Sequence, residues 1–157
     1  MNKTNAMRVL DARNISYTAL TYDDAVKSGQ GVSDALGVPL TQVFKTLVVM
    51  RERGRPIIAM VPSDRELDLK KTAAAVGEKR VRMATQREAE SKTGLLVGGI
   101  GALALLDKPF DVYLDASAQQ FEEILVNGGQ RGVNLKLRVS DLVAVTKAQV
   151  ADVSTKV

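Results

Sequence analysis

The chain of 157 residues contains no cysteine and no histidine. Without cysteine it can form no disulfide framework and carries no thiol nucleophile. Without either residue type it can build no Ser-His-Asp triad and no Cys/His zinc site. The usual side chain for acid–base work near neutral pH is also missing. Any chemistry must therefore rest on lysine, carboxylates, tyrosine, hydroxyls, backbone N–H groups or the substrate itself, which excludes most common hydrolase mechanisms.

Long apolar runs are also missing. No segment approaches the length of a transmembrane helix, and the polar N-terminus lacks the apolar core of a signal peptide. The hydrophobic fraction of 45% and charged fraction of 25% are ordinary for a soluble globular protein. The length predicts one domain over residues 1–157. We expect a cytoplasmic protein without membrane association, disordered at Met1–Asn5 and Ser154–Val157.

The charge balance is mildly basic, with 22 Lys+Arg against 18 Asp+Glu and a net charge of +4. This excess is compatible with a nucleic-acid partner, because phosphate neutralisation drives such binding. Basic residues cluster at Lys70–Lys71, Lys79–Arg82 and Lys136–Arg138. Solvated surface charge explains each cluster equally well.

Local patterns predict an α+β domain built largely on hairpins. Regular helices do not separate the strands, so a doubly wound parallel sheet is not expected. Asp68, Thr85 and Ser140 are predicted helix N-caps, and Gly77 a helix end. Helices are predicted over Thr4–Ala12, Val32–Leu36, Leu69–Val76, Thr85–Lys92 and Asp141–Thr146, and strands over Ile15–Tyr22, Val43–Met50, Ile57–Val61, Val81–Ala84, Val112–Leu114, Ile124–Val126 and Val133–Val139.

Lys45 lies in an otherwise apolar strand pattern, Val43–Met50. Alternation places it on the same strand face as Val43, Leu47 and Val49. An ammonium is costly to bury without a partner, so this position indicates an anionic ligand or a catalytic role. The alternative is a lysine that protects an edge strand against aggregation.

Two glycine-rich segments are candidate ligand-binding loops. Gly98–Gly101, interpreted as following an apolar strand, could offer backbone N–H donors to a carbonyl or an oxyanion, or could be an ordinary turn. Gly128–Gly132 is first of all a hairpin turn, and Arg131 at its tip could pair with a phosphate. Tyr22 could be a hydrogen-bonding wall of a pocket or a half-buried surface residue.

The segment Gly99–Ala104 also matches the loose dinucleotide pattern G-x-G-x-x-G/A. We reject that interpretation, because the pattern needs a βαβ unit with a long helix and Pro109 would cut such a helix short. No Walker pattern occurs. The acidic residues Asp107, Asp111 and Asp115 are better interpreted as surface than as metal ligands. We expect no metal and no organic cofactor.

Four segments in order and spacing resemble the YbaK family, free-standing relatives of the editing domain inserted in bacterial prolyl-tRNA synthetase. They are Val43–Val49, Leu67–Lys71, Thr93–Ile100 and Gly128–Gly132, and the resemblance runs from about Met7 to Asp152. It implies a single compact α+β domain whose twisted, mainly antiparallel (mixed) sheet forms a partial barrel with flanking helices.

The resemblance also implies an activity, that of a trans-editing aminoacyl-tRNA deacylase. The leading substrate is Cys-tRNA(Pro), with Cys-tRNA(Cys) beside it. The thiol of the substrate cysteine would attack the ester carbonyl, and the cysteine would be released as a cyclic thiolactone. Other members of the family use a water molecule instead. The implied partners are mischarged tRNA and prolyl-tRNA synthetase, the latter in a ternary complex.

Site residues follow from the same resemblance. Lys45 would hold the terminal phosphate or the polarised ester, and the backbone of Gly99, Ile100 and Gly101 would stabilise the oxyanion. The basic face of the last hairpin arm, expected to carry Asn134, Lys136 and Arg138, would hold the tRNA with Arg131. The implied substrate-binding set is Tyr22, Thr46, Gly98, Ala102, Asn127, Gly128, Gly129, Arg131 and Asn134.

Several positions depart from the family pattern. The loop usually reads G-G-I-S-P, and here Gly101 and Ala102 occupy its last two positions. Asn127 replaces a usual serine, Asn134 a usual aspartate, and the region of Ser28 a usual phenylalanine. Two alternatives therefore stay open: removal of Ala, Ser, Thr or 2-aminobutyrate from tRNA-Pro, and a non-catalytic module that binds tRNA or a synthetase.

Overall fold

The computed structural model describes residues 2–157, and within them the chain forms five α-helices and ten β-strands. The helices are Asn5–Ala12 (α1), Gly29–Leu36 (α2), Leu69–Val76 (α3), Gln86–Thr93 (α4) and Val139–Thr146 (α5). The strands are Tyr17–Thr21 (β1), Phe44–Met50 (β2), Ile57–Pro62 (β3), Arg65–Leu67 (β4), Arg82–Met83 (β5), Asp111–Asp115 (β6), Glu123–Asn127 (β7), Val133–Arg138 (β8), Gln149–Ala151 (β9) and Ser154–Lys156 (β10). None of these helices is long and apolar enough to cross a bilayer.

Side-chain caps fix the starts of the two central helices. The carboxylate of Asp68 accepts the N–H of Lys71, and Gly77 ends α3 in the left-handed conformation at φ 77°. Thr85 and Glu88 form a reciprocal capping box at the start of α4. The predicted helix starts at Asp68 and Thr85 are therefore confirmed.

Predictions at three other helix or strand ends are wrong. Helix α5 begins at Val139 and has no side-chain cap, so Ser140 lies inside the helix. Helix α2 starts at Gly29 instead of Val32, because Ser28 caps it by accepting the N–H of Gly31. Residues 95–97 form turns and bends and are not a strand.

Three sheets form the β structure. The largest is mixed, in the order β5-β2-β3-β6-β9; β1-β8-β7 and β10-β4 are antiparallel. The predicted hairpins β2–β3 and β7–β8 are confirmed, whereas β3–β6 and β6–β9 pair in parallel. A single parallel bridge between Val43 and Leu125 joins the two larger sheets. The predicted α+β class with a mainly antiparallel, unclosed barrel-like sheet is confirmed.

Strand β3 lies at the centre of the molecule and is buried throughout. Ile58 and Met60 belong to the large apolar core between the sheets. Ile57 and Ala59 point the other way, into a smaller cluster that includes Ala73 of α3. This alternation follows from the two-residue period of a strand, and it makes the β2–β3 hairpin a rigid support for what is built on β2.

Regular structure reaches close to both ends of the chain. The hydroxyl of Thr4 accepts the N–H of Met7 and caps α1. Ser154–Lys156 pairs with Arg65–Leu67 as β10. The predicted disorder is therefore wrong at Thr4–Asn5 and at Ser154–Lys156. Strand β10 was not predicted, because a three-residue strand that pairs across the chain leaves no local pattern. Met1 lies outside the described residues.

Candidate functional site

A cavity opens beside the unpaired edge of β2. The strand bonds β3 along Phe44–Val49, but on its other edge β5 pairs only with Val49 and Met50. The stretch from Lys45 to Leu47 therefore has no strand partner on that edge among the described pairings. Both Lys45 and Thr46 line the cavity that fills this gap.

The cavity has a volume of about 380 Å³, within the range of small-molecule sites. Its walls are mostly apolar, with Phe44, Val48 and Ile100 among them. Two lysines, Lys27 and Lys45, line it, and no carboxylate does. Neither lysine has a carboxylate within salt-bridge distance in residues 2–157. The cavity is thus electropositive and suited to a partly apolar ligand that carries negative charge.

Tyr22 and Asn134 meet on one wall. Nδ2 of Asn134 donates to the hydroxyl oxygen of Tyr22 at 2.9 Å. Burial raises the pKa of Tyr22 above its ordinary value, and the hydrogen bond from Asn134 offsets only part of this rise. The phenol therefore stays protonated at neutral pH, and its O–H can donate to a ligand.

Two polar atoms of the cavity residues are buried without a hydrogen-bond partner in the described part of the chain. They are Oγ1 of Thr46 and Oδ1 of Asn134. Asn134 is only 4% exposed, and an orphaned buried acceptor costs about 1–3 kcal/mol. Such a cost in a cavity indicates a polar ligand group that completes the hydrogen bonds.

The glycine loop brings backbone donors to the opposite wall. Gly98 and Ile100 line the cavity, and their N–H groups have no acceptor among the described hydrogen bonds. The N–H of Gly99, by contrast, donates to the carbonyl of Leu96 at 2.8 Å. Gly99 is therefore not a free donor, and the loop can offer Gly98 and Ile100 instead.

The second glycine turn holds this loop from behind. Nδ2 of Asn127 donates to the carbonyl of Gly98 at 2.8 Å, while its Oδ1 accepts the N–H of Gly129 at 2.7 Å. Nε of Arg131 donates to the carbonyl of Val97 at 2.8 Å. Arg131 thus ties the two loops together instead of standing free at a hairpin tip.

Two glycines make this close contact possible. A Cβ on Gly101 would lie 2.5 Å from the carbonyl oxygen of Asn127, and one on Gly99 would lie 3.0 Å from the backbone nitrogen of Arg131. Both neighbours are backbone atoms that cannot move aside. Glycine is required at position 101 by the close approach of the two backbones and not by its own backbone conformation. Gly101 is extended, with φ −140°, a conformation that any residue can adopt.

The cavity brings together part of the predicted site. Six predicted residues do not line it: Gly99, Gly101, Ala102, Gly128, Gly129 and Arg131. Seven line it: Tyr22, Lys45, Thr46, Gly98, Ile100, Asn127 and Asn134. The prediction that Asn134 lies on a wet strand face is wrong, because that face of β8 turns into the cavity at this position.

Other lining residues were not predicted as site residues. Met83 and Gln86 come from β5 and the start of α4, Ser63 from the end of β3, and Ser28 from the cap of α2. The hydroxyl of Ser63 donates to the carbonyl of Val43 at 2.7 Å, and that of Ser28 accepts the N–H of Gly31. Both hydroxyls therefore serve the fold. Only the folded structure, which places them beside Lys45, identifies them as cavity residues.

No group of three or more carboxylates within residues 2–157 is arranged to hold a metal ion. The cavity instead offers one phenol, three side-chain amides, one threonine and two serine hydroxyls, two ammonium groups and backbone donors. This donor set can orient a small polar group and compensate negative charge.

Comparisons with known proteins agree with this geometry. EbsC of Enterococcus faecalis (strain ATCC 700802 / V583), provisionally named a Cys-tRNA(Pro)/Cys-tRNA(Cys) deacylase, is 35% identical over 156 residues, which cover 98% of this chain and 94% of EbsC. The proline–tRNA ligase of Sulfurihydrogenibium sp. (strain YO3AOP1) is 32% identical over 110 residues, 70% of this chain and 19% of the ligase.

Solved structures share the fold. A protein designated APE2540 superposes with a TM-score of 0.89 at 26% identity, covering 97% of this chain and all of that one. A protein provisionally described as a trans-editing enzyme for prolyl-tRNA synthetase has a TM-score of 0.82 at 27% identity, with 99% of both chains covered. The family model of the aminoacyl-tRNA editing domain matches residues 23–145. The chain therefore belongs to the aminoacyl-tRNA editing domain family.

Proposed function

We propose that this protein is a trans-editing aminoacyl-tRNA deacylase that cleaves the ester of mischarged tRNA, with Cys-tRNA(Pro) as its first substrate and Cys-tRNA(Cys) beside it. The observation that carries the proposal is the cavity itself. It places Lys45, the Tyr22–Asn134 pair and free backbone donors of Gly98 and Ile100 around an apolar space of about 380 Å³. The relationship to EbsC supports the same substrate class.

The chemistry has to come largely from the substrate. The chain has no histidine or cysteine, and the serine hydroxyls that line the cavity are bonded within the fold. For cysteine, Sγ would attack the ester carbonyl carbon, the bond to the ribose oxygen would break, and the thiol proton would pass to that oxygen. The products are a cyclic thiolactone and free tRNA. Positioning alone can lower such a barrier by several kcal/mol.

Each cavity residue then has a role in the proposal. The N–H groups of Gly98 and Ile100 stabilise the developing oxyanion in place of Gly99, whose N–H is already bonded. Lys45 compensates the charge of the terminal phosphate or of the ester. The Tyr22–Asn134 pair and Thr46 orient the amino acid. Asn127 and Arg131, from behind, keep the loop in place.

Partners and location follow from this chemistry. We propose that residues 1–157 act as one editing domain on mischarged tRNA in the cytoplasm. Prolyl-tRNA synthetase is the proposed partner in a ternary complex, because tRNA-Pro would pass from the synthetase to the editing site.

The test is single-turnover deacylation of tRNA-Pro charged in turn with Cys, Ala, Ser, Thr, 2-aminobutyrate and Pro. Wild type, Lys45→Ala and a matched control, Lys136→Ala, are compared. We expect fast loss of Cys by wild type and by the control, with a roughly hundredfold slower rate for Lys45→Ala, the cost of one lost electrostatic contact.

Three other outcomes are informative. A preference for Ala, Ser, Thr or 2-aminobutyrate would replace the cysteine assignment and keep the deacylase. Equal rates for Lys45→Ala and Lys136→Ala would remove Lys45 from the chemistry. Absence of deacylation for every ester would refute the enzyme and favour a non-catalytic module that binds tRNA or a synthetase.

A further inference from the structure

A second cleft lies at the opposite end of the β2–β3 hairpin from the cavity. It has a volume of about 420 Å³ and mainly polar walls. Its lining includes four basic residues, Arg51, Arg55, Lys108 and Lys147, and one carboxylate, that of Asp111. The cleft is therefore electropositive, and its basic residues come from three separate parts of the chain.

Arg51 is the fixed cation of this cleft. Its side chain is 13% exposed, and Nη2 bonds Asp111 at 2.8 Å while Nη1 lies 3.6 Å from Glu78. Nε is buried and has no hydrogen-bond partner among the described residues. A guanidinium held in this way is a pre-organised cation, and the donor geometry of its fork matches the oxygens of a phosphate.

The other three cations are unpaired. Arg55, Lys108 and Lys147 are exposed, and none has a carboxylate within 4.0 Å in residues 2–157. They lie in three different loops, which precede β3, β6 and β9. Separated, exposed cations fit successive phosphates of a nucleic-acid backbone better than one enclosed small anion.

The neighbouring loops extend the same charge. Glu78, which contacts Arg51, leads into Lys79 and Arg80, and Arg80 lies 3.8 Å from Glu52 in the β2–β3 turn. Arg53 is exposed in that turn. Basic residues therefore outnumber acidic ones at this end of the hairpin.

The cleft and the cavity are separated by the length of β2. Arg51 follows Lys45 by six residues in the extended chain, which corresponds to roughly 20 Å at about 3.3 Å per residue. A nucleic-acid duplex carries closely spaced phosphates, with one charge per about 1.7 Å of axis in double-stranded DNA. A duplex that runs along this distance therefore presents several phosphates to the cleft.

We infer that the cleft of Arg51, Arg55, Lys108 and Lys147 binds the backbone phosphates of the tRNA acceptor stem while the 3′ end occupies the cavity. The inference rests on the proposed function for its ligand. It moves the tRNA contact away from the face of Lys136 and Arg138 to the far end of the β2–β3 hairpin.

The test measures binding of an uncharged acceptor-stem RNA hairpin with a single-stranded CCA end to the full chain at several salt concentrations. Arg55→Gln/Lys108→Gln is compared with Lys136→Gln/Arg138→Gln, which removes the same charge elsewhere. We expect the first variant to raise the Kd for the hairpin about five- to twentyfold at low salt. The slope of the logarithm of the binding constant against the logarithm of the salt concentration should also become shallower by about 1–2, because each lost phosphate contact contributes about 0.9 to it. The control should stay within about twofold of wild type.

Turnover of a short aminoacylated CCA trinucleotide, which lacks the acceptor-stem duplex, should be equal in all three proteins. Equal losses of binding in the two variants would mean that net charge alone attracts RNA and would overturn the inference. No loss in Arg55→Gln/Lys108→Gln would overturn it too. If wild type binds the hairpin in the expected pattern and deacylates no substrate, the proposed function fails and the binding site stands.

Discussion

Asn134 donates a hydrogen bond to Tyr22 at 2.9 Å across 112 positions of the chain. The bond joins β8 to the residue that follows β1. Oδ1 of Asn134 has no hydrogen-bond partner among the described residues, and the Tyr22 hydroxyl accepts from Asn134 but donates none of the described hydrogen bonds. Because Asn134 is almost fully buried, the two free groups form a small, fixed hydrogen-bonding unit in the cavity wall.

Tyr22→Phe is expected to slow deacylation about tenfold. The change removes the acceptor of the Asn134 amide and the donor for the ligand, and a hydrogen bond of this kind contributes about 0.5–1.5 kcal/mol. Single-turnover rates of Tyr22→Phe, Asn134→Ala and the double variant measure the coupling, which should be about 1 kcal/mol because both single changes break the same bond.

Tyr17→Phe is the matched control. The Tyr17 hydroxyl donates to Asp11 at 3.0 Å at an exposed position away from the cavity, so its loss should leave the rate unchanged. Additive effects of Tyr22→Phe and Asn134→Ala would show that the two residues act separately on the substrate.

Arg131→Leu is expected to slow deacylation about tenfold while the affinity for tRNA stays within about twofold of wild type. The hydrogen bond from its Nε to the carbonyl of Val97 holds the loop that presents Gly98 and Ile100. A hydrogen bond to a charged group contributes about 1.5–3 kcal/mol to stability, so its loss would loosen this loop. The rate with a short aminoacylated CCA ester should fall as much as with tRNA.

Arg138→Leu removes the same charge from an exposed position of β8 and should change neither quantity. If Arg131→Leu instead weakens tRNA binding tenfold and spares the short ester, Arg131 contacts the tRNA phosphate, as its place in the hairpin turn first indicated.

Local signals predicted local structure well. Asp68 and Thr85 cap their helices as expected, since a cap needs only a hydroxyl or carboxylate and the N–H three residues on. Strand β10 was missed because Ser154–Lys156 gains its order from pairing with Arg65–Leu67. A strand was predicted over Val112–Leu114, and in the structure it extends over Asp111–Asp115 as β6. The parallel pairing of β6 with β3 has no counterpart in the local pattern.

The site was predictable where one residue breaks a pattern. Lys45 stands out in an apolar strand, and the glycine loop stands out by composition. Met83 and Gln86 could not be found, because their role comes from a gap that β5 leaves beside β2. The hydrogen bond from the N–H of Gly99 to the carbonyl of Leu96 depends on a tight turn, which the composition of the loop does not predict.

Gly101→Ala is expected to destabilise the protein by about 1–3 kcal/mol and to abolish most activity. Its Cβ would meet the carbonyl of Asn127 at 2.5 Å, and overpacking of this order forces backbone shifts. Those shifts would displace the glycine loop from the cavity. Thermal unfolding and single-turnover rates measure both effects.

Gly37→Ala provides the comparison. Gly37 has φ 65°, and a Cβ added to it would meet no other atom within 4 Å. Alanine there costs about 1–2 kcal/mol through its left-handed backbone alone. Activity of the folded variant should be normal. A Gly101→Ala protein with normal rates would show that the loop tolerates displacement.

Asp115→Asn is expected to destabilise the fold by about 1–3 kcal/mol at neutral pH, the cost of unsatisfied buried partners. Asp115 is 2% exposed, and it accepts from the backbone N–H of Val153 at 3.0 Å and from Ser117. Burial alone raises the pKa of Asp115, but the hydrogen bonds from Ser117, Val153 and Ser154 outweigh it and hold the pKa below the ordinary 3.8.

The sign of the pH dependence follows from this lowered pKa. The carboxylate form stabilises the fold, so its contribution is fully present above the unfolded pKa near 3.8 and is lost as pH falls through the lower folded value. Urea unfolding between pH 7 and pH 3 should show a constant gap between wild type and Asp115→Asn above about pH 5, and a shrinking gap below it. Asp107→Asn, at an exposed position, should follow wild type throughout. A gap that stays constant down to pH 3 would mean that packing at the β6–β10 junction, and not the charge of Asp115, holds the C-terminal strand.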